Sequence, residues 1–262
     1  MRITRVIGGL AACAMFATRC ALFPDLSGLA KGPDATAEAG TTPDATSDAP
    51  DAAPLLGCKA MMDASFCEDF DDPSPFAPTI WSTVDLDSSV GTISLDDTSA
   101  TSPPNAASFV VPSSAPGCSY LRLTRRFLGT FAAVKVHAAI RMATIGNAFN
   151  FTVGSATNFT LLTQFDDNSA TVRLQKYDGV TLSDSVFVVL PLDTTPIARW
   201  LALDMSYVGS THQLTVTLGN STKSRTLPTE FVAIDPGIGI GPYCSGGATS
   251  MTVDDVSVYL TP

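Results

Sequence analysis

Residues 251–262 read MTVDDVSVYLTP. Most of it has the two-residue period of a strand. Val256, Val258 and Leu260 share one face, and Ser257 and Tyr259 share the other. Two carboxylates, Asp254 and Asp255, stand at its entrance, and simple alternation puts Asp254 on the apolar face. An ionised carboxylate turned inward costs several kcal/mol unless it is paired or coordinated. No Lys or Arg lies in the twenty residues before Asp254, so a local basic partner is missing.

The composition agrees with strands. Glu occurs three times in 262 residues, at Glu38, Glu68 and Glu230, while Thr and Val are plentiful. From Leu55 onward no helical period is visible. Alternation recurs instead at Ile93/Leu95, Leu121/Leu123, Phe149/Phe151/Val153, Val172/Leu174, Leu201/Leu203/Met205, Leu214/Val216/Leu218 and Ile238/Ile240. The clearest case runs through Val134, Val136, Ala138, Ile140 and Met142, with Lys135, His137 and Arg141 opposite. Turn signals (DDNSA, KYDG, YVGST, LGNSTKS) separate the strands. One apolar and one polar face per strand, without crossover helices, predicts an all-β fold: an antiparallel two-sheet jelly-roll sandwich.

The chain ahead of this domain reads differently. MRITR and then VIGGLAACAMFAT have the layout of an export signal over residues 1–19, of the lipoprotein type if Cys20 is the modified residue. Cys13 follows Leu10-Ala11-Ala12 and fits a lipobox but leaves a short apolar run. Cys20 allows a full run and leaves four cysteines, and ordinary secretion is the third reading. Residues 20–57 form an Asp/Ala/Pro-rich linker in which PDAT occurs twice. It has too little apolar surface to offset the entropy of ordering. The folded domain is then expected over 58–262. Export points to a cell-surface or outer-membrane lipoprotein, held by a lipid anchor, or otherwise to an extracellular protein.

Export also permits disulfides. Cys58, Cys67, Cys118 and Cys244 allow three pairings, of which Cys58–Cys67 and Cys118–Cys244 are preferred. The cysteines and the two histidines lack zinc spacing. A net charge of −10 and the absence of a basic stripe exclude nucleic acid as a partner; Arg122, Arg125 and Arg126 are too few to form one.

Several short runs, taken in order, carry a family likeness. FCEDFDD at 66–72 is followed by Trp81. WLALD at 200–204 leads to QLTVT at 213–217, then IGIG at 238–241 and VDDVSVY at 253–259. This series resembles the concanavalin A-like lectin/glucanase superfamily, especially laminin-G-like jelly rolls of secreted bacterial proteins, over residues 64–262. The resemblance implies one structural calcium ion, held by Asp254 at the last strand with Glu68 and Asp69 near the first. Asp255 takes a place where the glucanase pattern has Tyr. Oxygen ligands suit that ion, and loop amides are the metal-free alternative for Asp254. The glucanase run Glu-x-Asp-x-x-Glu is missing, and no G-x-S-x-G elbow exists. The expectation is therefore a non-catalytic binding module for a polysaccharide or surface glycan. A protein-adhesion module is the alternative, and a degenerate glycoside hydrolase ranks below both. Outward residues Lys135, His137, Arg141, Arg173, Gln175 and Asp204 are the candidate binding face, and Trp200 is either a stacking ring or a core residue.

Overall fold

The computed structural model describes residues 57–58, 61, 63–85, 91–113, 119–153, 158–177, 182–193, 195–245 and 248–262. The expected signal, the lipidated Cys20 or Cys13, nearly all of the linker, and Cys118 lie outside them. Among the described residues the chain forms strands β1 (Phe66–Glu68), β2 (Thr83–Asp85), β3 (Thr92–Asp96), β4 (Ala106–Val111), β5 (Ser119–Tyr120) and β6 (Arg122–Arg126). Then follow β7 (Ala133–Met142), β8 (Gly146–Val153), β9 (Asn158–Phe165), β10 (Ser169–Tyr177), β11 (Leu182–Pro191) and β12 (Trp200–Val208). The last are β13 (Gln213–Leu218), β14 (Ser221–Thr226), β15 (Gly237–Ile240), β16 (Tyr243–Ser245) and β17 (Thr249–Thr261).

Two antiparallel sheets carry the fold. Sheet A has the order β14-β13-β12-β7-β17-β4-β3, with β1 added on β17; sheet B has the order β11-β10-β9-β8-β15-β6-β2. A short β16–β5 pair stands apart. The expected jelly-roll sandwich is what forms, and first and last strands are neighbours: Phe66, Cys67 and Glu68 face Val258, Ser257 and Val256. The inward faces supply one continuous core. Val134, Val136, Ala138, Ile140 and Met142 of β7 join Leu203, Met205 and Tyr207 of β12 and Leu214, Val216 and Leu218 of β13. Sheet B contributes Phe149, Phe151, Phe159, Leu161, Val172, Ile238 and Ile240.

One end of this core is aromatic. Trp81 is fully buried, 5.3 Å from Phe66 edge-to-face and stacked on Phe70 at 6.3 Å. Its indole N–H donates to Pro75 O at 2.9 Å, so the one polar atom of the ring is satisfied. Cys58 and Cys67 form the expected disulfide and tie the entering chain to β1. Cys244 falls in β16, but its side chain is not among those described.

Two elements differ from the sequence expectation. LGNSTKS is a turn only at its start. Gly219 takes φ 55° at the first place of a two-residue turn, and Ser221–Thr226 continue as edge strand β14. The second difference concerns Asp254. Val253 points into the core and pairs with Ile140, so Asp254, paired with Ala139, points to the outer face of sheet A. The register then slips between Asp254 and Ser257, and Asp255 has φ 50°. This bulge reverses the parity, returning Val256 and Val258 to the core. It falls where β17 exchanges one edge partner, β4 up to Val253, for another, β1 from Val256. The inward acid read from the sequence is thus an outward one.

Candidate functional site

The outer face of sheet A brings distant residues into register. One cross-strand row runs Tyr259 (β17), Lys135 (β7), Ser206 (β12), Thr215 (β13) and Ser224 (β14). The next runs Ser257, His137, Asp204, Thr217 and Thr222. Neighbouring rows on one face are two residues apart, about 7 Å. Between them lies a hollow of about 160 Å³ lined by Lys135, Val136, His137, Asp204, Met205, Ser206, Thr215, Thr217 and Tyr259.

Its polar centre is His137. The Nδ1 atom lies 2.8 Å from Asp204 Oδ1. With Nδ1–H donating to the carboxylate, Nε2 carries the lone pair. Nε2 is buried and has no hydrogen-bond partner; the hydroxyl of its cross-strand neighbour Ser257 is in the same condition. The His137 side chain is 16 % exposed but Asp204 is 52 % exposed, so water screens the pair. Its energetic value is small and its effect is to fix the ring.

The far side of the face is closed by a loop. Asp96 accepts from Thr98 N at 2.9 Å, from Thr98 Oγ1 at 2.6 Å, and from Ser99 Oγ. These bonds hold its carboxyl below the usual range, those from the Ser99 and Thr98 hydroxyls foremost. The turn leads to Thr101 and Ser102, whose amides donate to Asp254 Oδ2 at 2.8 and 3.0 Å. Ser102 Oγ donates to Asp255 Oδ1 at 2.6 Å and Thr101 Oγ1 to Asp255 Oδ2 at 3.0 Å. Asp254, Asp255 and the outward Ala139 are fully buried under this cover. Burial pushes the Asp254 carboxyl up to about 6, against the Ser102 amide and with the Asp255 charge. Asp255 is raised for the same first reason, and the Ser102 and Thr101 hydroxyls oppose it.

Glu68 lies elsewhere. On the inward side of β1 it is 4 % exposed, and it accepts from Phe70 N at 2.8 Å. Burial raises its pKa to about 7, with the charges of Asp69, Asp72 and Asp71 adding to the rise and the Phe70 amide opposing it. Among the described residues no three His, Cys, Asp or Glu side chains stand close enough to hold a metal ion. The Asp69 charge acts on Asp255, while Glu68 lies on the inward side of β1. Asp254 is served by loop amides.

The candidate binding face divides in the same way. Lys135, His137, Arg141 and Asp204 share the outer face of sheet A. Arg173 and Gln175 are on β10 of sheet B, and Arg173 is paired with Asp184 at 2.9 Å. Trp200 pairs with Arg141 on the outer face, four residues along β12 from Asp204, or about 13 Å. It is half-buried and belongs to neither the core nor the hollow. Sequence reasoning passed over Ser206, Thr215, Thr217 and Tyr259. Their signal was present as the polar partner of each alternating strand. His212 sits in the β12–β13 turn beside Phe231 O, at 3.3 Å, away from the hollow.

No protein-family model and no curated protein matches the chain. Among solved structures, it is similar to an endo-β-1,4-glucuronan lyase of the fungus Trichoderma reesei. The TM-score is 0.54 and the identity 13 %, covering 76 % of this chain and 96 % of that one. A Crh5 transglycosylase in complex with NAG follows at TM-score 0.48 and 14 % identity, covering 74 % and 83 %. An alginate lyase of Pseudomonas aeruginosa has TM-score 0.42 and 13 % identity, covering 60 % and 83 %. At such identities the likeness to the glucuronan lyase establishes the shared two-sheet frame. It also corrects the expectation of a non-catalytic module. That expectation rested on a missing run of carboxylates, and the frame this chain shares is one on which a glycan lyase is built.

Proposed function

We propose that this protein is a glycan-processing jelly roll that cleaves a uronate-containing polysaccharide by β-elimination in the hollow on the outer face of sheet A. The observation that carries the reading is the His137–Asp204 pair at 2.8 Å, set beside Lys135 and Tyr259. Hydrolysis of a glycosidic bond by the usual route needs two carboxylates flanking it. The lining of the hollow offers one, Asp204, and that one holds an imidazole. A base, a cation and a phenol are instead the set that proton abstraction beside a carboxylate requires.

In this reading the Lys135 ammonium pairs with the sugar carboxylate and stabilises charge developing on it. His137 Nε2 takes the proton from the carbon bearing that carboxylate. The adjacent carbon–oxygen bond breaks, a carbon–carbon double bond forms, and the Tyr259 hydroxyl gives its proton to the leaving oxygen. Asp204 keeps the imidazole in the tautomer that can accept. Lys135 is exposed and Tyr259 partly so, and the reading requires the buried Nε2 to be uncovered when the sugar binds.

The net charge of −10 opposes an anionic polymer at long range. That field is screened beyond roughly 8–10 Å at physiological salt, so the Lys135 ammonium in the hollow decides binding. A polymer too large to cross a membrane must be met outside the cell, which suits an export-type N-terminus. The similarity to the endo-β-1,4-glucuronan lyase supports the substrate class. The test is incubation with glucuronan, alginate and polygalacturonate while following the ultraviolet absorbance of the unsaturated product. Absorbance should grow with at least one polymer. Release of reducing ends without absorbance would mean hydrolysis and would overturn the reading, as would no cleavage of any of them.

A further inference from the structure

From the hollow to the β14 edge, sheet A carries a strip of hydroxyls. Thr215 Oγ1 and Ser224 Oγ lie 2.8 Å apart, and Thr217 Oγ1 and Thr222 Oγ1 lie 2.9 Å apart. Each of these pairs shares one hydrogen bond. One donor and several acceptor positions per pair stay free for another partner. Thr222 and Ser224 are exposed, while Thr215 and Thr217 are part of the hollow's lining. The strip is therefore continuous with the site.

The remaining surroundings say which way a bound chain can run. Toward the bulge, the outward Ala139 is buried under the loop that carries Thr101 and Ser102. Beyond β17, Ser257 is buried beside Cys67 of the disulfide. Along β7 in the other direction the next row centres on Ala133 and Val208, which have no side-chain donors or acceptors, with Thr261 and Gln213 on either side. Across β12, β13 and β14 the face offers hydroxyl after hydroxyl. The span from β17 to β14 is four inter-strand steps, about 19 Å, long enough for several sugar rings.

We infer that the Thr215/Ser224 and Thr217/Thr222 pairs form an extended subsite that seats a polysaccharide chain running across the strands, so that the hollow acts on polymers rather than on short ends. This rests on the uronate reading above and adds direction and chain length to it. A glucuronate ring presents its hydroxyls around its edge, and a rigid ladder of Thr and Ser hydroxyls matches them without selecting charge. Lys135 alone in the hollow's lining then reads the carboxylate.

The test uses β-1,4-linked oligoglucuronates of two, four and six units, titrated against the whole protein by calorimetry. Wild type should bind the hexamer at least tenfold more tightly than the dimer. Thr222→Val with Ser224→Ala should reduce that ratio by roughly tenfold, as loss of one or two net hydrogen bonds implies. The thermal midpoint and dimer affinity should not change, because both residues lie outside the hollow. Equal affinity for all lengths in wild type overturns the strip without any variant, as does a ratio untouched by the double substitution. Those outcomes leave the uronate reading standing. If no length binds, the strip fails, and the polymer cleavage assay decides the uronate reading separately.

Discussion

His137→Gln lowers the rate of unsaturated-product formation by about 10²–10⁴-fold, the range that loss of a positioned general base produces. Gln is chosen because its amide can still donate to Asp204 and fills much of the same space. The strand around it is insensitive to the change, since Val136 and Ala138 make its core contacts. The thermal midpoint should therefore stay near that of wild type while the rate collapses. The fall should appear in kcat, because the proton is in transit only in the transition state. Lys135→Met should instead raise KM first, since the ammonium also binds the ground-state carboxylate. A His137→Gln protein that keeps its rate would remove the base from the mechanism. One that loses rate and stability together would show His137 to be structural.

The second large effect concerns stability. Glu68 is buried, and its pKa is raised to about 7 in the folded protein from an ordinary value of 4.5. Asp254 is raised to about 6 from 3.8. A raised folded pKa means that the native state holds the proton more tightly than the unfolded chain. The associated stability is fully present below the unfolded value and is lost as pH climbs through the folded one. For Glu68 the window is pH 4.5 to 7, and the loss is on the order of 3 kcal/mol. Asp254 adds to it between pH 3.8 and 6. The domain should therefore unfold at a lower denaturant concentration at pH 7.5 than at pH 5. Glu68→Gln removes the charge but keeps an oxygen for the Phe70 amide. It should raise stability at pH 7.5, leave it nearly unchanged at pH 4.5, and flatten the slope between. A Gln variant that is less stable at pH 7.5 would mean that the ionised carboxylate has a partner worth more than its desolvation.

Much of the fold could be read from alternation, and the exceptions have physical causes. Strand β7 announced itself because its two faces differ sharply: core residues at Val134, Val136 and Ala138, charge at Lys135 and Arg141. Strand β14 did not, because an edge strand with sequence STKSRT has no apolar face to alternate with. The bulge at Asp254 and Asp255 was invisible for a different reason. It depends on β17 changing partners, a fact of topology that no local pattern encodes. The same limit applies to the site. His137 and Asp204 were both legible as outward residues, yet their contact needs β7 and β12 to be neighbours across 67 residues of chain. Arg173 and Gln175 had equal standing in the sequence and belong to the other sheet. Parity gives the face of a residue; it does not say which sheet the face belongs to.

The proposed seat of the glycan is the outer face of sheet A. Amide hydrogen exchange with and without a hexameric oligoglucuronate tests this directly. Slowed exchange is predicted in β7 around Lys135–His137, in β12–β14, and in β17 from Ser257 onward, with sheet B unchanged. Protection centred on β10 and β11 around Arg173 and Asp184, with sheet A unaffected, would contradict it.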